Sequence, residues 1–248
     1  MTSNMTLVEA VTKIRGEKGT EVNLIIIRED IDQPMEFSIK RDEITAPSVS
    51  YEEIDGTDYI LISVSQFGEN TTKEFNEMIE KAIIKNPKGI ILDLRYNGGG
   101  YLDASVDMVS QFVSKGIVVI QKVRDVGKEK LSEEVINVSG NPKIVDVPMV
   151  VLVNEGTASA SEIVAAALQY HKRATIVGKK TFGKGTVQEF IPLPDDSSLR
   201  LTIAKWYTPG GISIDKNGIT PDVEVEYSKD EEEDAQLDKA IEILTSNK

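Results

Sequence analysis

Two short apolar segments limit the folds that this chain can adopt. Residues 89–94 (GIILDL) and 147–153 (VPMVVLV) have the composition of strands that are buried on both faces. Helices are predicted at 71–85, 102–113 and 158–170, and Phe75, Met78, Ile79 and Ile83 share one face of the first of them. Alternation of buried strands with helices predicts an α/β core.

The remaining elements are shorter. Helices are predicted at 5–15 and 235–244, and strands at 21–27, 35–39, 58–64, 175–177, 186–193 and 199–208. One helix and two strands cannot form a good core in the first 42 residues. The chain is therefore predicted to contain a small N-terminal unit, residues 1–45, and a core, residues 46–248. Leu7, Val11, Leu24, Ile26 and Phe37 of the small unit are expected to expose apolar surface.

Composition excludes several classes of function. The net charge of −13 argues against binding to nucleic acid, which requires a basic surface. No apolar run is long enough to span a membrane, and residues 1–5 lack the features of a signal peptide. The absence of cysteine excludes disulfides, thiolate metal sites and a cysteine nucleophile. His171 cannot form a metal site alone and is expected at the surface, at a helix end.

A serine and a lysine lie in unusual local sequences. Ser159, in GTASASE, follows a buried strand and opens a helix, and Lys184, in TFGKGTVQ, comes 25 positions later. A serine hydroxyl becomes a good nucleophile only when a neighbouring base takes its proton. With no cysteine and a single histidine, a lysine amine is the natural base to consider. Such an amine must be desolvated or placed beside positive charge before it can accept a proton at neutral pH.

Each of these segments also has a purely structural interpretation. Ser159 and Glu162 have the spacing of a capping box at the start of a helix. Ser161 is a rival nucleophile that could instead face the helix interior. Lys184, between two glycines, could simply be a solvated residue of a hairpin. Taken separately, the two segments favour these interpretations over catalysis.

Several segments together resemble the C-terminal processing peptidases, also called tail-specific proteases. They are 14–20 (IRGEKGT), 92–100 (LDLRYNGGG), the serine and lysine segments, 204–211 (AKWYTPGG) and 218–223 (GITPDV). Members of this family are serine peptidases with a Ser/Lys dyad and no catalytic histidine. The resemblance implies that Ser159 is the nucleophile and Lys184 the general base. It also implies that Gln188, four positions after the lysine and of the same parity if both lie on one strand, orients the amine.

The resemblance also implies a fold and an oxyanion hole. The core is expected to be crotonase-like, built of repeated ββα turns, and residues 1–45 to be a partial PDZ remnant. The backbone N–H of Ala160 is one expected oxyanion donor, and Gly98 or Gly99 supplies the second, with Gly98 favoured. Neighbouring Asp93 and Arg95 are expected to form a structural ion pair, and Trp206 to lie in the core or the cleft wall.

The function that follows is serine endopeptidase activity on protein or peptide substrates, near their C-termini, through an acyl-enzyme and without a cofactor. By the same resemblance the protein is expected outside the cytoplasm, and the small unit could mediate self-association. Two alternatives stay open. One is a catalytically silent peptide-binding scaffold of the same fold, and the other is a crotonase-type enzyme acting on acyl thioesters.

Overall fold

The computed structural model describes residues 5, 7–28, 33–43, 46–124, 131–195, 197–226 and 233–246. The chain divides into two compact units, Met1–Ala46 and Pro47–Lys248. Each unit has its own secondary structure, and the candidate site residues all belong to the second.

The first unit contains one helix and an antiparallel strand pair. Its elements are α1 (Leu7–Ile14), β1 (Glu21–Ile26) and β2 (Met35–Lys40). The guanidinium of Arg41 donates hydrogen bonds to the carbonyl oxygens of Ile14 and Glu21 and so joins the end of α1 to β1. The identity of this unit as a PDZ remnant stays a prediction.

Apolar side chains of the first unit remain exposed, as expected. Ile26 and Phe37 are exposed, whereas Val11 and Leu24 are half-buried. The side chain of Leu7 lies outside the described residues. Two strands and one short helix thus leave apolar surface in contact with water.

The second unit is a mixed α/β structure, which confirms the predicted α/β class. Its elements are β3 (Val49–Glu53), β4 (Tyr59–Val64), α2 (Thr71–Lys85), β5 (Gly89–Asp93), α3 (Leu102–Ser110), β6 (Ile117–Arg124), β7 (Leu131–Asn137), β8 (Met149–Val153), α4 (Ala160–Tyr170), β9 (Thr175–Gly178), β10 (Thr186–Pro192), β11 (Ser198–Tyr207), β12 (Val223–Glu224) and α5 (Ala235–Ser246).

Two sheets organise these strands. The larger sheet has the order β12-β9-β8-β5-β4-β3, with parallel pairing except between β3 and β4. The smaller sheet is antiparallel, with the order β10-β11-β6-β7. Four strands, β3, β6, β7 and β12, were not predicted from the sequence.

The centre of the larger sheet is completely buried. Ile90, Ile91 and Leu92 on β5 and Val150 to Val153 on β8 are inaccessible to solvent. One face packs against a cluster that includes α2, α3 and α4, and the other against α5. Full burial of such side chains stabilises a fold by about 1.5–3 kcal/mol each. The two apolar segments are therefore strands covered on both faces, as predicted.

The carboxyl ends of β5 and β8 lie side by side and lead into two turns. Asp93 pairs with Leu152 at the end of the ladder. Beyond it, the hydroxyl of Thr157 donates to the carbonyl of Leu94, and the N–H of Ala158 donates to the carbonyl of Asn97. Open parallel sheets bind ligands outside the carboxyl ends of their strands. The turn at 97–100 and the turn at 154–159 therefore meet where a ligand site is expected.

Candidate active site

Ser159 stands at the junction of the second turn with α4, in a strained conformation. Its φ of 57° and ψ of −117° are unusual for a residue other than glycine. Such strain costs about 1–3 kcal/mol and persists only where the surroundings enforce it. Here the N–H of Ser159 donates to the carboxylate of Glu162 at 2.8 Å, and the preceding residue is held by Asn97. These backbone hydrogen bonds therefore fix the position of Ser159.

Glu162 joins the serine segment to the lysine segment. Its side chain is fully buried. One oxygen accepts the N–H groups of Ser159 and Lys184, at 2.8 and 2.9 Å. The other accepts the Thr181 hydroxyl and the N–H of Gly183, at 2.5 and 2.6 Å. Four donors and the start of a helix compensate the buried charge. The capping-box spacing identified the bond to Ser159 but gave no sign of the bonds to residues 181–184.

Lys184 lies in the same cleft as Ser159 and Gln188. The flanking glycines are required by packing: a Cβ on Gly185 would lie 2.0 Å from the backbone nitrogen of Asp215, and Gly183 has a φ of 86°. The Lys184 side chain is exposed. Burial of the residue therefore does not supply the desolvation that the amine would need in order to act as a base. Among the described residues, no hydrogen bond joins this amine to the Ser159 hydroxyl.

Gln188 reaches the cleft by a different route from the one predicted. Strand β10 begins at Thr186, so Lys184 precedes the strand, and a register shift interrupts it between Val187 and Gln188. The premise of equal parity along one strand is therefore wrong, because both residues do not belong to one regular strand. Gln188 nevertheless lines the cleft beside Lys184 and Ser159.

The glycine turn packs closely against the serine. A Cβ on Gly99 would lie 2.7 Å from both the Ala158 carbonyl oxygen and the Ser159 Cβ, whereas one on Gly98 would meet nothing within 4 Å. The N–H of Gly99 already donates to the side chain of Asn97 at 2.9 Å. This engagement favours the N–H of Gly98 as the donor that would join Ala160 in an oxyanion hole.

Other predicted residues have structural roles. Ser161 is buried, and its hydroxyl donates to the Asn97 carbonyl at 2.9 Å, so it is not a rival nucleophile. Trp206 is buried and also borders the cleft, which confirms its expected place. His171 caps the end of α4 as predicted, but it is half-buried, with Nε2 2.8 Å from the carbonyl oxygen of Ile117.

Asp93 and Arg95 form the expected ion pair, which extends to a third residue. The Arg95 guanidinium lies 2.7 Å from the Asp93 carboxylate and 2.8 Å from that of Asp234, just before α5. Burial alone would lower the pKa of Arg95, but hydrogen bonds and charge from the two carboxylates hold it above its ordinary value. The pair joins the end of β5 to the start of α5.

Two features are absent from the described residues. No group of three or more histidine, aspartate or glutamate side chains is arranged to hold a metal ion. No helix in the described part of the chain is long and apolar enough to cross a membrane.

Comparison with known proteins identifies the family. Residues 58–225, which include the serine, the lysine and both turns, match the peptidase family S41. The chain belongs to this family. It is 42% identical over 228 residues to a carboxy-terminal-processing protease of Bartonella bacilliformis and 41% identical over 222 residues to the carboxy-terminal processing protease CtpA of Bacillus subtilis. Each alignment covers 90% of this chain.

Solved structures agree with the S41 assignment. A photosystem II D1 C-terminal processing protease superimposes with a TM-score of 0.67 at 29% identity, covering 89% of this chain and 60% of that one. Mature CPAF shares the fold, with a TM-score of 0.62 at 15% identity over 94% of this chain and 67% of its own. The chain spans about half the length of the curated relatives it matches, 51% and 46% for the two named above.

Proposed function

We propose that this S41 chain is a serine endopeptidase that cleaves protein substrates near their C-termini, with Ser159 as nucleophile and Lys184 as general base. One observation carries the proposal. The two residues border one cleft, and a single buried carboxylate, that of Glu162, accepts the backbone N–H of both. A shared support of this kind serves to fix the relative positions of two segments that act together.

The proposed reaction begins when the Ser159 hydroxyl attacks a peptide carbonyl and Lys184 takes the hydroxyl proton. The oxyanion that forms accepts hydrogen bonds from the backbone N–H groups of Ala160 and Gly98. Lys184 then returns the proton to the leaving amine, and an acyl-enzyme remains on Ser159. Water hydrolyses this ester by the same proton transfers in reverse, so the steps need no cofactor. Gln188 accepts a hydrogen bond from the amine and directs it.

Substrate is proposed to complete the site. Lys184 is exposed, and a lysine amine can act as a base only when it is neutral. A polypeptide that fills the cleft would remove water from around the amine and favour its neutral form. The exposed hairpin and the buried serine turn would then close on the substrate from opposite sides.

The relatives named above process the C-termini of proteins, by their names. The same substrate class is proposed here: proteins or peptides cut near their C-terminal ends. By family resemblance the reaction is placed outside the cytoplasm. Self-association through residues 1–45 is a separate proposal, supported by the exposed Ile25, Ile27 and Phe37.

One observation favours a second candidate, a catalytically silent peptide-binding scaffold. Among the described residues the Lys184 amine makes no hydrogen bond to the Ser159 hydroxyl, and its side chain is exposed. In this alternative the cleft binds polypeptides without cleaving them.

Labelling with a fluorophosphonate, followed by mass mapping, separates the two candidates. Covalent modification of Ser159 together with hydrolysis of an internally quenched peptide is expected for the peptidase. The Lys184→Met substitution, which keeps most of the unbranched side chain and removes the amine, should abolish both. Peptide binding without modification of Ser159 would instead establish the scaffold.

A further inference from the structure

Asn97 is a buried polar residue to which the proposed chemistry assigns no part. It lies between β5 and α3, and its side chain is inaccessible to solvent. We propose that Asn97 is a positioning residue, which holds the backbone N–H groups of Gly98 and Ala160 where they can bind an oxyanion. This inference rests on the proposed function, because it takes these two N–H groups to be the oxyanion donors.

The side-chain amide of Asn97 uses both of its polar groups. Nδ2 donates to the carbonyl oxygen of Val64, at the end of β4, at 2.8 Å, and Oδ1 accepts the N–H of Gly99 at 2.9 Å. An amide supplies a donor and an acceptor together, whereas an ionised carboxylate only accepts and a methyl group does neither. The side chain therefore ties the glycine turn at 97–100 to the end of a strand of the larger sheet.

The backbone carbonyl of Asn97 reaches the turn that carries the serine. Its oxygen accepts the N–H of Ala158 and the hydroxyl of Ser161, both at 2.9 Å. These two residues flank Ser159 and Ala160 in the chain, so one carbonyl group binds both sides of the segment with the proposed nucleophile. Asn97 thus holds the glycine turn through its side chain and the serine turn through its backbone.

The two proposed donors lie where the turns meet. A Cβ on Gly99 would be only 2.9 Å from the backbone nitrogen of Ala160, so the turns are in close contact. Gly98 lies between Asn97 and Gly99, and its N–H donates to no group of the described residues. Oxyanion donors act because they are fixed before the reaction, at the position that the developing charge will occupy. Loss of the Asn97 side chain should therefore weaken binding of the transition state more than binding of the substrate.

The Asn97→Ala substitution separates this role from a purely structural one. Transition-state binding is measured with a peptide boronic acid, whose tetrahedral adduct with Ser159 places an oxygen in the oxyanion hole. Ground-state binding is measured by fluorescence anisotropy of a labelled peptide of the same sequence, with Ser159→Ala added to both proteins. We expect boronate affinity and kcat each to fall about tenfold to hundredfold, and peptide affinity to change by less than about twofold.

Ser110→Ala is the matched control. Ser110 is buried at the opposite end of α3, and its hydroxyl accepts the N–H of Ser139 at 2.9 Å. This variant also leaves an N–H group without its acceptor, so it should lower the melting temperature. Boronate affinity and kcat should nevertheless stay unchanged, because a loss of stability alone does not alter the site of the folded protein.

Ser161→Ala is a milder variant that tests the same inference if Asn97→Ala fails to fold. It removes one of the two bonds to the Asn97 carbonyl and adds no charge. Boronate affinity should fall about fivefold, again without a matching loss of peptide affinity. Equal changes in the two affinities, or no change in either, in the folded variant would overturn the inference.

The unsubstituted protein distinguishes this failure from failure of the proposed function. If it neither hydrolyses the peptide nor forms a boronate adduct at Ser159, the peptidase proposal is overturned, and this inference with it. If it does both, and boronate affinity does not depend on Asn97, the peptidase proposal stands and only the role of Asn97 is overturned.

Discussion

The two sides of the cleft are built differently. The side that carries Ser159 rests on β5 and β8, the most buried strands in the described chain, and its turn is held by Asn97, Thr157 and Glu162. The side that carries Gln188 and Arg200 is a hairpin whose described side chains from 188 to 202 are exposed, apart from the half-buried Ile191. Packing on the core fixes the side that carries Ser159, whereas few side-chain contacts fix the hairpin.

This difference means that the position of the proposed nucleophile and its proposed activation depend on different parts of the structure. A strained φ at Ser159 can persist because the surrounding hydrogen bonds outweigh its cost. Lys184 lies between the two sides: its backbone is tied to Glu162, while its side chain is exposed. The following substitutions test this contrast.

Removal of either proposed reacting group, the Ser159 hydroxyl or the Lys184 amine, should have the largest effect. Ser159→Ala and Lys184→Ala are each expected to lower kcat by about four to six orders of magnitude, and the double variant should be scarcely worse, because the two act as a unit. Peptide hydrolysis and thermal melting should be measured together, with the melting temperature close to that of the unsubstituted protein. Retained hydrolysis by purified Ser159→Ala would place the nucleophile elsewhere.

Loss of the shared carboxylate should affect both sides of the cleft. Glu162→Gln puts an amide NH₂ where N–H donors now point, which leaves buried donors unpaired. We expect a loss of about 2–4 kcal/mol in the free energy of unfolding and a fall of about hundredfold in kcat. Urea unfolding and steady-state kinetics measure the two effects. Glu155→Gln, an exposed residue of the same turn, is the control and should change neither.

A methyl group on the glycine turn should distinguish two adjacent positions. Gly99→Ala places a Cβ against Ala158 and Ser159 at a φ of 95°, so it should cost about 1–3 kcal/mol of stability and lower kcat at least tenfold. Gly98→Ala meets no atom within 4 Å and keeps its N–H, so activity should survive. Equal effects of the two substitutions would contradict the close packing of Gly99 on the serine.

Removal of the Gln188 side chain should have the smallest effect. A single hydrogen bond that directs the amine contributes about 1 kcal/mol, so Gln188→Ala should lower kcat about fivefold with little change in KM. Glu189→Ala, at the next exposed position of β10, serves as the control. A change in KM alone would indicate that Gln188 contacts substrate and does not orient Lys184.

The sequence predicted the buried central strands of the larger sheet better than the strands at its edges and those of the smaller sheet. Apolar runs at 89–94 and 147–153 predicted β5 and β8 because a fully buried strand leaves a continuous signal. Strands β6 and β7 were missed because their pattern mixes charged and apolar residues, as in QKVR and SEEV. The four bonds to Glu162 could not be predicted either, since a capping spacing reports only on the local helix. The exposure of Lys184 depends on the hairpin's tertiary position, which local sequence does not encode.

The exposed hairpin also has a consequence for how such a protein can change over generations. Substitutions between 188 and 202 remove few contacts that stabilise the fold, because most described side chains there already face water. Substitutions at the exposed positions of this hairpin can therefore arise without loss of folding. The turn that holds Ser159 tolerates fewer substitutions, because its strained φ depends on several buried partners at once. Among proteins that share this core, the hairpin sequence is therefore expected to vary more than the turn that holds the proposed nucleophile.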